Sequence, residues 1–282
     1  MTTSETAVHR VQDTARWVAV ARACESERAD ALFKDPFARK LGGPLGEDLF
    51  LRLSGRNGAW PIVARTVLID RLVADAVRDG VDAVLNLAAG FDTRPYRTTL
   101  PESLAWIEVD HAELLADKEA SLRESTPGCR LERVGLDLSD GDARRALLTR
   151  LGGRFRRVLV MTEGLMPYLA PQDAMTLAED IRAMPNVFRW IADLPNSAVL
   201  RFVARQTKNA LQGTARMQFG PDEGPLVFEP LGWKTVSAVS IFKTAGRLKR
   251  LPFPMSLFAH LPEKPYGTPG RPWSGVCVWE PR

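Results

Sequence analysis

The sequence has few of the residues that build metal centres, disulfides or membrane spans. It contains 3 cysteines and 3 histidines in 282 residues, and Cys24, Cys129 and Cys277 form no C-x-x-C pair. We therefore expect neither a zinc site nor any other bound metal. No run reaches the roughly 18 uncharged apolar residues that a membrane helix needs, and the N-terminal residues lack the apolar core of a secretory signal. A cytoplasmic protein without a membrane partner is expected.

Strong charge of one sign is also missing. Lys and Arg total 38 against 34 Asp and Glu, which gives a net charge of +4. Nucleic-acid binding usually requires basic residues clustered on one face, and the densest basic groups, 154–157 and 247–250, are short. We expect a small-molecule substrate and no nucleic acid. A homodimer is compatible with the sequence, which does not specify the oligomeric state.

The glycine-rich motifs of common nucleotide sites are absent. No G-x-x-x-x-G-K-[ST] motif occurs, which disfavours nucleoside triphosphates. The turn after the first apolar run reads Ala88-Ala89-Gly90-Phe91-Asp92 and does not match G-x-G-x-x-G. A dinucleotide-dependent oxidoreductase is therefore only an alternative hypothesis.

Apolar runs and helical patterns alternate along most of the chain. The apolar runs lie at 83–88, 104–109, 131–136, 157–161 and 187–192, and the helical patterns between and after them lie at 111–124, 140–150, 171–184 and 196–211. Such alternation predicts an α/β fold with a doubly wound, mostly parallel sheet. Two more runs, 232–240 and 274–279, predict an antiparallel C-terminal hairpin and a seven-stranded sheet.

The regions outside this alternation predict a cover for the sheet. In residues 1–60, a helix is expected from Val11 to Cys24, with a stop at Gly42-Gly43 and a polar loop around 54–58. We interpret 1–60 as an N-terminal helical lid and 61–282 as the ligand-binding domain, opening with a helix at 61–78. The domain carries a Gly/Pro-rich, substrate-covering insertion at about 212–230 and an ordered Pro-rich loop at 251–272.

The stretch AVLNLAAGFDTRPYR, residues 83–97, combines a buried strand with a small-residue turn. Asp110 ends the next apolar run, 20 residues after Gly90. An acid at this position can accept hydrogen bonds from both ribose hydroxyls. Because the turn lacks a pyrophosphate cradle, the pattern fits a ligand that has a ribose but no pyrophosphate, such as S-adenosylmethionine.

Two further acids follow later strands. Asp137 comes after the third apolar run, beside Leu138, and Glu163 comes after the fourth. Asp137 can meet an adenine amine, and Leu138 can pack on the ring. Any one of these acids is compatible with an ordinary strand end or helix cap, but together with Asp110 they indicate a site on one sheet edge.

Four motifs in order, LNLAAGFDTRPYR, WIEVDHAELLADK, LDLSD and TEGLMPYL, closely resemble the leucine carboxyl methyltransferase family. The nearest branch is the bacterial S-adenosylmethionine-dependent O-methyltransferases of polyketide and other secondary metabolism, and the resemblance covers roughly residues 10–240. It implies a class I methyltransferase with a Rossmann-like fold, S-adenosyl-L-methionine as cofactor and methyl transfer to a small molecule.

The resemblance also implies roles for individual residues. Arg65 matches the arginine that pairs with the methionine carboxylate, and Glu163 matches the glutamate near the methionine amino group. Gly90 lies beside the methionine moiety and Asp110 matches the ribose-binding acid. The remaining matches are Asp137 and Leu138 for adenine and, more weakly, Arg16 on the N-terminal helix.

One position departs from the family pattern. The family reads NLGAG where this chain has Asn86-Leu87-Ala88-Ala89-Gly90. A methyl group at Ala88 strains the turn if the backbone there needs a positive φ. A cofactor-binding protein that no longer transfers methyl is therefore a third hypothesis.

The acceptor decides which catalytic groups are needed. A carboxylate is already ionised at pH 7 and requires a cationic clamp, for which Arg22 or Arg201 are the candidates. A phenol benefits from a base, and Tyr168 and His260 are candidates for the acceptor pocket. With few histidines and many arginines, the sequence favours a carboxylate or an acidic phenol. Trp17 and Trp273 are expected to border the pocket.

Overall fold

A computed structural model describes residues 11–53, 58–207, 215–262, 266, 268 and 271–282. In this part of the chain, seven strands form one sheet. The strands are β1 Ala83–Leu87, β2 Ala105–Asp110, β3 Arg130–Gly135, β4 Val158–Thr162, β5 Val187–Pro195, β6 Trp233–Ser240 and β7 Ser274–Pro281. The α-helices are α1 Val11–Ser26, α2 Ala38–Leu53, α3 Trp60–Arg78, α4 Arg94–Arg97, α5 Ala112–Leu122, α6 Gly141–Gly152, α7 Pro171–Ala183, α8 Ser197–Gln206, α9 Ile241–Arg247 and α10 Met255–Phe258.

The strands lie in the order β3-β2-β1-β4-β5-β7-β6. Strands β1 to β5 are parallel, and β7 pairs antiparallel with both β5 and β6. The predicted doubly wound sheet with an antiparallel C-terminal hairpin is confirmed. Because chain order reverses between β1 and β4, the carboxyl ends of β1 to β4 open into one crevice.

The central strands are buried on both faces. Every residue of β1, β2 and β4 is buried, as expected for near-continuous apolar strands covered by helices on both sides. On one face, Leu85 and Leu87 pack in the same core as helices α6 and α7. On the other face, Val84 packs in a core with α3 and α9.

Helices α1 and α2 form a further layer outside the sheet. Ala19 and Leu41 pack with Phe91, which follows β1, and with Leu114 of α5. The expected stop at Gly42-Gly43 is present as a kink, because Gly43 has φ 58°. The sequence-based interpretation missed the second helical segment, which restarts at Pro44 and continues to Leu53. Proline is well suited to such a first helical position.

The segments after β5 differ in detail from the sequence-based expectation. The predicted helix 196–211 is observed as α8, and its last residues, 208–211, lie outside the described residues. The insertion at 212–230 contains a 3-10 helix, Gly224–Leu231, beyond the undescribed 212–214. The Pro-rich loop 251–272 contains the short helix α10, and 263–265, 267 and 269–270 are outside the described part.

None of the helices in the described ranges has the length and apolar character that crossing a bilayer requires. The same ranges contain no cluster of three or more His, Cys, Asp or Glu side chains suited to a metal ion.

Candidate functional site

A cavity of about 430 Å³ opens at the carboxyl ends of β1 to β4, under helix α1. Its size is within the range of small-molecule sites. The wall combines the strand-end turns with α1 and the segment after β4. It consists of Thr14, Ala15, Val18, Arg22, Arg65, Asn86, Ala88, Ala89, Gly90, Phe91, Asp92, Arg94, Asp110, His111, Leu114, Leu136, Asp137, Leu138, Ser139, Glu163, Gly164, Leu165, Tyr168, Leu169, Ala170, Asp173 and Gln218.

The turn after β1 has two residues in the left-handed region. Gly90 has φ 47° and Ala88 has φ 56°. At Gly90 an added Cβ would lie 3.4 Å from the Ala15 side chain, which is an ordinary contact. Glycine is therefore favoured at this position by the positive φ and not by a lack of space. Ala88 therefore has the backbone strain that the sequence analysis expects if this position needs a positive φ, since an L-residue rarely adopts this conformation.

Asp110 holds this turn against the end of β2. Its Oδ2 accepts a hydrogen bond from the backbone N–H of Gly90 at 2.7 Å, and its Oδ1 accepts one from His111 N–H at 2.7 Å. Burial raises the pKa of Asp110, and the two backbone N–H groups partly offset that rise. Each carboxylate oxygen keeps a lone pair, so Asp110 can still accept hydrogen bonds from a ligand's hydroxyl groups.

Asp137 and Leu138 lie in the wall beyond β3. Asp137 is exposed, and its Oδ1 accepts hydrogen bonds from the backbone N–H and the hydroxyl of Ser139 at 2.9 and 2.7 Å. These bonds lower the pKa of Asp137. Leu138 supplies apolar surface beside this carboxylate. The carboxylate suits the polar edge of a planar base, and the Leu138 side chain suits its face.

Glu163 lies between two arginines from different helices. Its Oε1 accepts from Arg65 Nε at 3.0 Å, and its Oε2 accepts from Arg94 Nη1 at 2.8 Å. Burial would raise the pKa of Glu163, but the charges of Arg94 and Arg65 outweigh it and lower the pKa. Glu163 is therefore an ionised, fixed acceptor and a poor base.

Sequence reasoning missed the acids that hold these arginines. Asp193, near the end of β5, accepts from Arg65 Nη1 at 2.9 Å and from Gly164 N–H at 2.6 Å. Asp70 of α3 accepts from Arg94 Nε at 2.7 Å. An acid directly after the apolar residues Trp190, Ile191 and Ala192 was the available signal for Asp193, whereas Asp70 sits on an ordinary helical pattern.

Helix α1 contributes one side of the cavity. Arg22 is buried, with its Nε 2.9 Å from Asp35 Oδ2 and its Nη2 2.5 Å from the Phe91 carbonyl oxygen. The Tyr168 side chain lies close to the Thr14 side chain of α1, which acts on its hydroxyl. Burial raises the pKa of Tyr168, so its hydroxyl stays protonated at neutral pH. Thr14 was also missed from the sequence.

Several predicted residues do not line this cavity. Arg16 lies next to it, where it pairs with Asp117 and the Leu41 carbonyl and stacks over Phe91. His260 is exposed in the Pro-rich loop, and Arg201 is exposed on α8 with Ser197 as a partner. The two tryptophans expected at the border pack elsewhere, Trp17 against α2 and Trp273 in the main core.

The comparison with known families agrees with this geometry. The sequence profile of leucine carboxyl methyltransferases matches residues 15–182, more than half of the chain. The chain belongs to the leucine carboxyl methyltransferase family. The matched region of this family member begins within helix α1, includes Asp110, Asp137 and Glu163, and ends before the C-terminal hairpin.

Its relatives share a general activity name. A protein of Mycolicibacterium paratuberculosis is 34% identical in an alignment of 188 positions that covers 61% of this chain and 60% of that protein. A Streptomyces coelicolor protein is 36% identical in an alignment of 177 positions that covers 58% of this chain and 61% of that protein. Both are named as inferred S-adenosyl-L-methionine-dependent methyltransferases. The match thus spans about 60% of the length of these relatives.

Solved structures share the fold at low sequence identity. A DUF574 family protein from Streptomyces avermitilis has a TM-score of 0.60 at 16% identity and covers 98% of both chains. An inferred methyltransferase from Thermobifida fusca has a TM-score of 0.59 at 15% identity, covering 99% of this chain and 97% of that one. The α/β class I methyltransferase-like fold of this family member therefore extends over nearly the whole chain.

Proposed function

We propose that the cavity binds S-adenosyl-L-methionine and that the protein transfers its methyl group to an oxygen atom of a small molecule. The observation that carries the proposal is Asp110, a buried carboxylate at the end of β2 that also fixes the Gly90 turn. That arrangement suits a ribose. The absence of a pyrophosphate-binding glycine fingerprint argues for an adenosyl compound without phosphates.

The rest of the wall fits the other parts of this cofactor. Asp137 and Leu138 border the place for the adenine, whereas Arg65 and Glu163 lie beside the turn after β1 and border the place for the methionine end. The relatives' names support the same cofactor. Arg16, which the sequence also proposed as a cofactor residue, reaches the cavity only indirectly. It stacks over the ring of Phe91, and Phe91 is part of the cavity wall.

When bound, S-adenosyl-L-methionine supplies a methyl group whose C–S bond breaks, with the electron pair staying on sulfur, as an acceptor oxygen forms the new C–O bond. The protein holds the two reactants in line, which can contribute roughly 7–11 kcal/mol in well-oriented reactions. Helix α1 closes one side, where Thr14 lies close to Tyr168. It thereby limits water in the cavity, as expected of a lid.

The resemblance to O-methyltransferases of polyketide metabolism supports an acceptor from secondary metabolism. Tyr168 is the wall residue best placed to donate a hydrogen bond to that acceptor, because it follows β4 and faces α1. The strain at Ala88 favours one alternative, a protein that binds the cofactor without transferring methyl. A nicotinamide-dependent oxidoreductase has no specific feature in its favour.

Calorimetry on the full chain tests the proposal. We expect one site for S-adenosylhomocysteine, no heat with NAD⁺ or NADP⁺, and weaker binding to Asp110→Asn. Methyl transfer from radiolabelled S-adenosyl-L-methionine to a library of phenols, alcohols and carboxylic acids then separates an enzyme from a binding protein. Tight NAD⁺ binding, or S-adenosylhomocysteine binding that is unaffected by Asp110→Asn, contradicts the assignment.

A further inference from the structure

Asp193 is a buried carboxylate to which the proposed function assigns no role. It lies near the end of β5, is 6% exposed and is not one of the described residues that line the cavity. Its Oδ1 accepts a hydrogen bond from the Gly164 backbone N–H at 2.6 Å, and its Oδ2 accepts one from Arg65 Nη1 at 2.9 Å. Each oxygen therefore holds a different part of the cavity wall, one the turn after β4 and the other a side chain of α3.

The sheet places Asp193 beside this turn. Strands β4 and β5 run parallel with Thr162 paired to Ala192, so Asp193 follows β5 at the level where Glu163 follows β4. A side chain on a strand is held more precisely than one on a loop. This placement suits a residue that orients other groups.

The Arg65 guanidinium has three nitrogen atoms, and the protein holds two of them. Nε donates to Glu163 Oε1 at 3.0 Å and Nη1 donates to Asp193 Oδ2 at 2.9 Å, whereas Nη2 donates to no acceptor in the described part of the chain. Since a guanidinium is a rigid, planar group, two held nitrogens fix the direction of the third. Arg65 lines the cavity, so the two N–H groups of Nη2 remain for a ligand in a fixed orientation.

The turn after β4 supports the same guanidinium. Gly164 has φ 67°, and an added Cβ there would lie 3.4 Å from Arg65 Nη1 and 3.5 Å from Arg65 Nη2. The guanidinium therefore packs against this turn. Because Asp193 bonds both the Gly164 N–H and Arg65 Nη1, it fixes the turn and the guanidinium relative to each other.

The acids around Arg65 keep it charged in this mostly buried place. Burial would lower the pKa of Arg65, but the charges of Asp193 and Glu163 outweigh burial and raise the pKa. Glu163 is shared, since its Oε2 accepts from Arg94 Nη1 at 2.8 Å. Asp193 pairs with no second arginine in the described ranges, so Arg65 is the one cation that it orients there.

We propose that Asp193 is a positioning residue, which holds Arg65 so that Nη2 donates to the carboxylate at the methionine end of S-adenosyl-L-methionine. A carboxylate suits this group because charge-assisted hydrogen bonds from a guanidinium are short and strong. The inference rests on the proposed function and adds to it a residue outside the cavity wall. Asp193 acts only through Arg65 and the Gly164 turn.

Two ligands that differ by one carboxylate separate this role from a structural one. S-adenosylhomocysteine carries the carboxylate, and S-adenosyl-3-thiopropylamine is the same molecule without it. Calorimetry measures both affinities for the full chain and for its Asp193→Asn variant. Asn has a similar size, but its amide combines one acceptor group with one donor group. It cannot replace both oxygens of Asp193, because each of them faces a donor.

We expect the unmodified chain to bind S-adenosylhomocysteine at least about tenfold more tightly than the analogue, as for hydrogen bonds between charged groups. Asp193→Asn should weaken S-adenosylhomocysteine binding about tenfold and change the affinity for the analogue less than about twofold. Equal weakening of both ligands would mean a merely structural role and overturns the proposal. An unchanged preference for S-adenosylhomocysteine overturns it as well.

Glu25 provides a matched control. It is 3% exposed, lies outside the described cavity wall and accepts from Arg250 Nε and from the Leu32 N–H, each at 2.9 Å. Glu25→Gln thus disturbs a similar buried acid that joins an arginine to a backbone N–H. It should leave the preference for S-adenosylhomocysteine unchanged. A loss equal to that of Asp193→Asn would contradict the specific role of Asp193.

Arg65→Lys tests whether Asp193 acts through Arg65. Lysine keeps the positive charge but has a single nitrogen in place of the planar fork. Arg65→Lys should lose the preference for S-adenosylhomocysteine, and adding Asp193→Asn should lower it little further, since the two residues form one unit. Fully additive losses contradict the proposal. If Asp193→Asn does not fold, Asp193→Ser is judged by the same two affinities.

The unmodified chain separates failure of this inference from failure of the proposed function. If it does not bind S-adenosylhomocysteine, the proposed function is wrong and this inference with it. If it binds S-adenosylhomocysteine and the analogue equally well, the cofactor assignment stands and only the role of Asp193 and Arg65 is overturned.

Discussion

The backbone N–H of Gly90 donates a hydrogen bond to the Asp110 carboxylate at 2.7 Å, joining the first turn to the end of the second strand. The acid that we propose to bind the ribose therefore also shapes the turn that faces the methionine moiety. Replacing Asp110 with Ala should weaken S-adenosyl-L-methionine binding by about 1.5–3 kcal/mol, the value of hydrogen bonds to a charged group. Calorimetry of both proteins measures the difference.

An acid far from the cavity provides the control. Asp75 of α3 is paired at the surface with Arg78, and Asp75→Ala should leave cofactor affinity unchanged. Because burial raises the pKa of Asp110, its ionised form does not stabilise the fold by itself. Unchanged affinity in Asp110→Ala would show that the carboxylate only organises the turn.

Ala88 offers a test of backbone strain. Its φ of 56° costs an L-residue roughly 1–2 kcal/mol, while glycine loses roughly 0.5–1 kcal/mol more entropy on folding. Ala88→Gly should therefore raise the free energy of unfolding by about 0.5–1 kcal/mol, as measured by urea denaturation.

The neighbouring residue supplies a control of opposite sign. Ala89 is buried and has no positive φ, so Ala89→Gly should lower the free energy of unfolding by about 0.5–1 kcal/mol. If both substitutions destabilise the protein equally, the left-handed conformation of Ala88 carries no measurable strain.

Asp92 predicts a pH dependence of stability. Burial would raise its pKa, but Arg94, Lys118 and Arg97 outweigh burial and lower the pKa from 3.8 to about 2. A lowered folded-state pKa contributes stability that is present above pH 4 and is lost as the pH falls from about 4 to about 2. This contribution is about 2 kcal/mol.

Replacing Asp92 with Asn should remove that contribution. The free energy of unfolding should fall by about 2 kcal/mol at pH 7, and the loss of stability between pH 4 and pH 2 should become shallower. Urea denaturation across this range checks both effects, with exposed Asp142→Asn as the control. If Asp92→Asn loses stability between pH 4 and pH 2 as steeply as the wild-type protein, other carboxylates cause the sensitivity to acid.

Local patterns predicted the sheet well because strand and turn signals are local. The runs around β1, β2 and β4 are mostly apolar segments, and Gly90 lies in the turn after β1 while Asp110 is the last residue of β2. Their positions at one sheet edge follow from parallel topology alone. The second segment of α2 escaped notice because Gly43 and Pro44 signal a stop, although proline also begins helices.

The ion pairs of the site could not be predicted in the same way. Arg65 and Asp193 are 128 residues apart, and Arg94 and Glu163 are 69 apart. Which acid meets which arginine depends on how α3 and α4 pack against the sheet. Packing buries Arg94 to 2% exposure between three acids.

Tyr168 provides the most direct test of how α1 takes part in the reaction. Its hydroxyl is protonated at neutral pH and lies close to Thr14 in the cavity wall, so it is available to orient an acceptor oxygen. Tyr168→Phe should lower the methyl-transfer rate constant about tenfold, because losing one hydrogen bond of about 1.4 kcal/mol in the transition state corresponds to a factor of about ten. Affinity for S-adenosylhomocysteine should change less than twofold.

Thr14→Val separates two roles of this hydroxyl. The variant removes the polar group that α1 presents to Tyr168 but keeps the Tyr168 hydroxyl in the cavity. If Tyr168 orients the acceptor, the methyl-transfer rate constant of Thr14→Val should stay close to that of the wild-type protein, whereas the rate constant of Tyr168→Phe should fall. Equal losses in both variants, with a raised KM for the acceptor, would mean instead that the hydroxyl acts by holding α1 over the cavity.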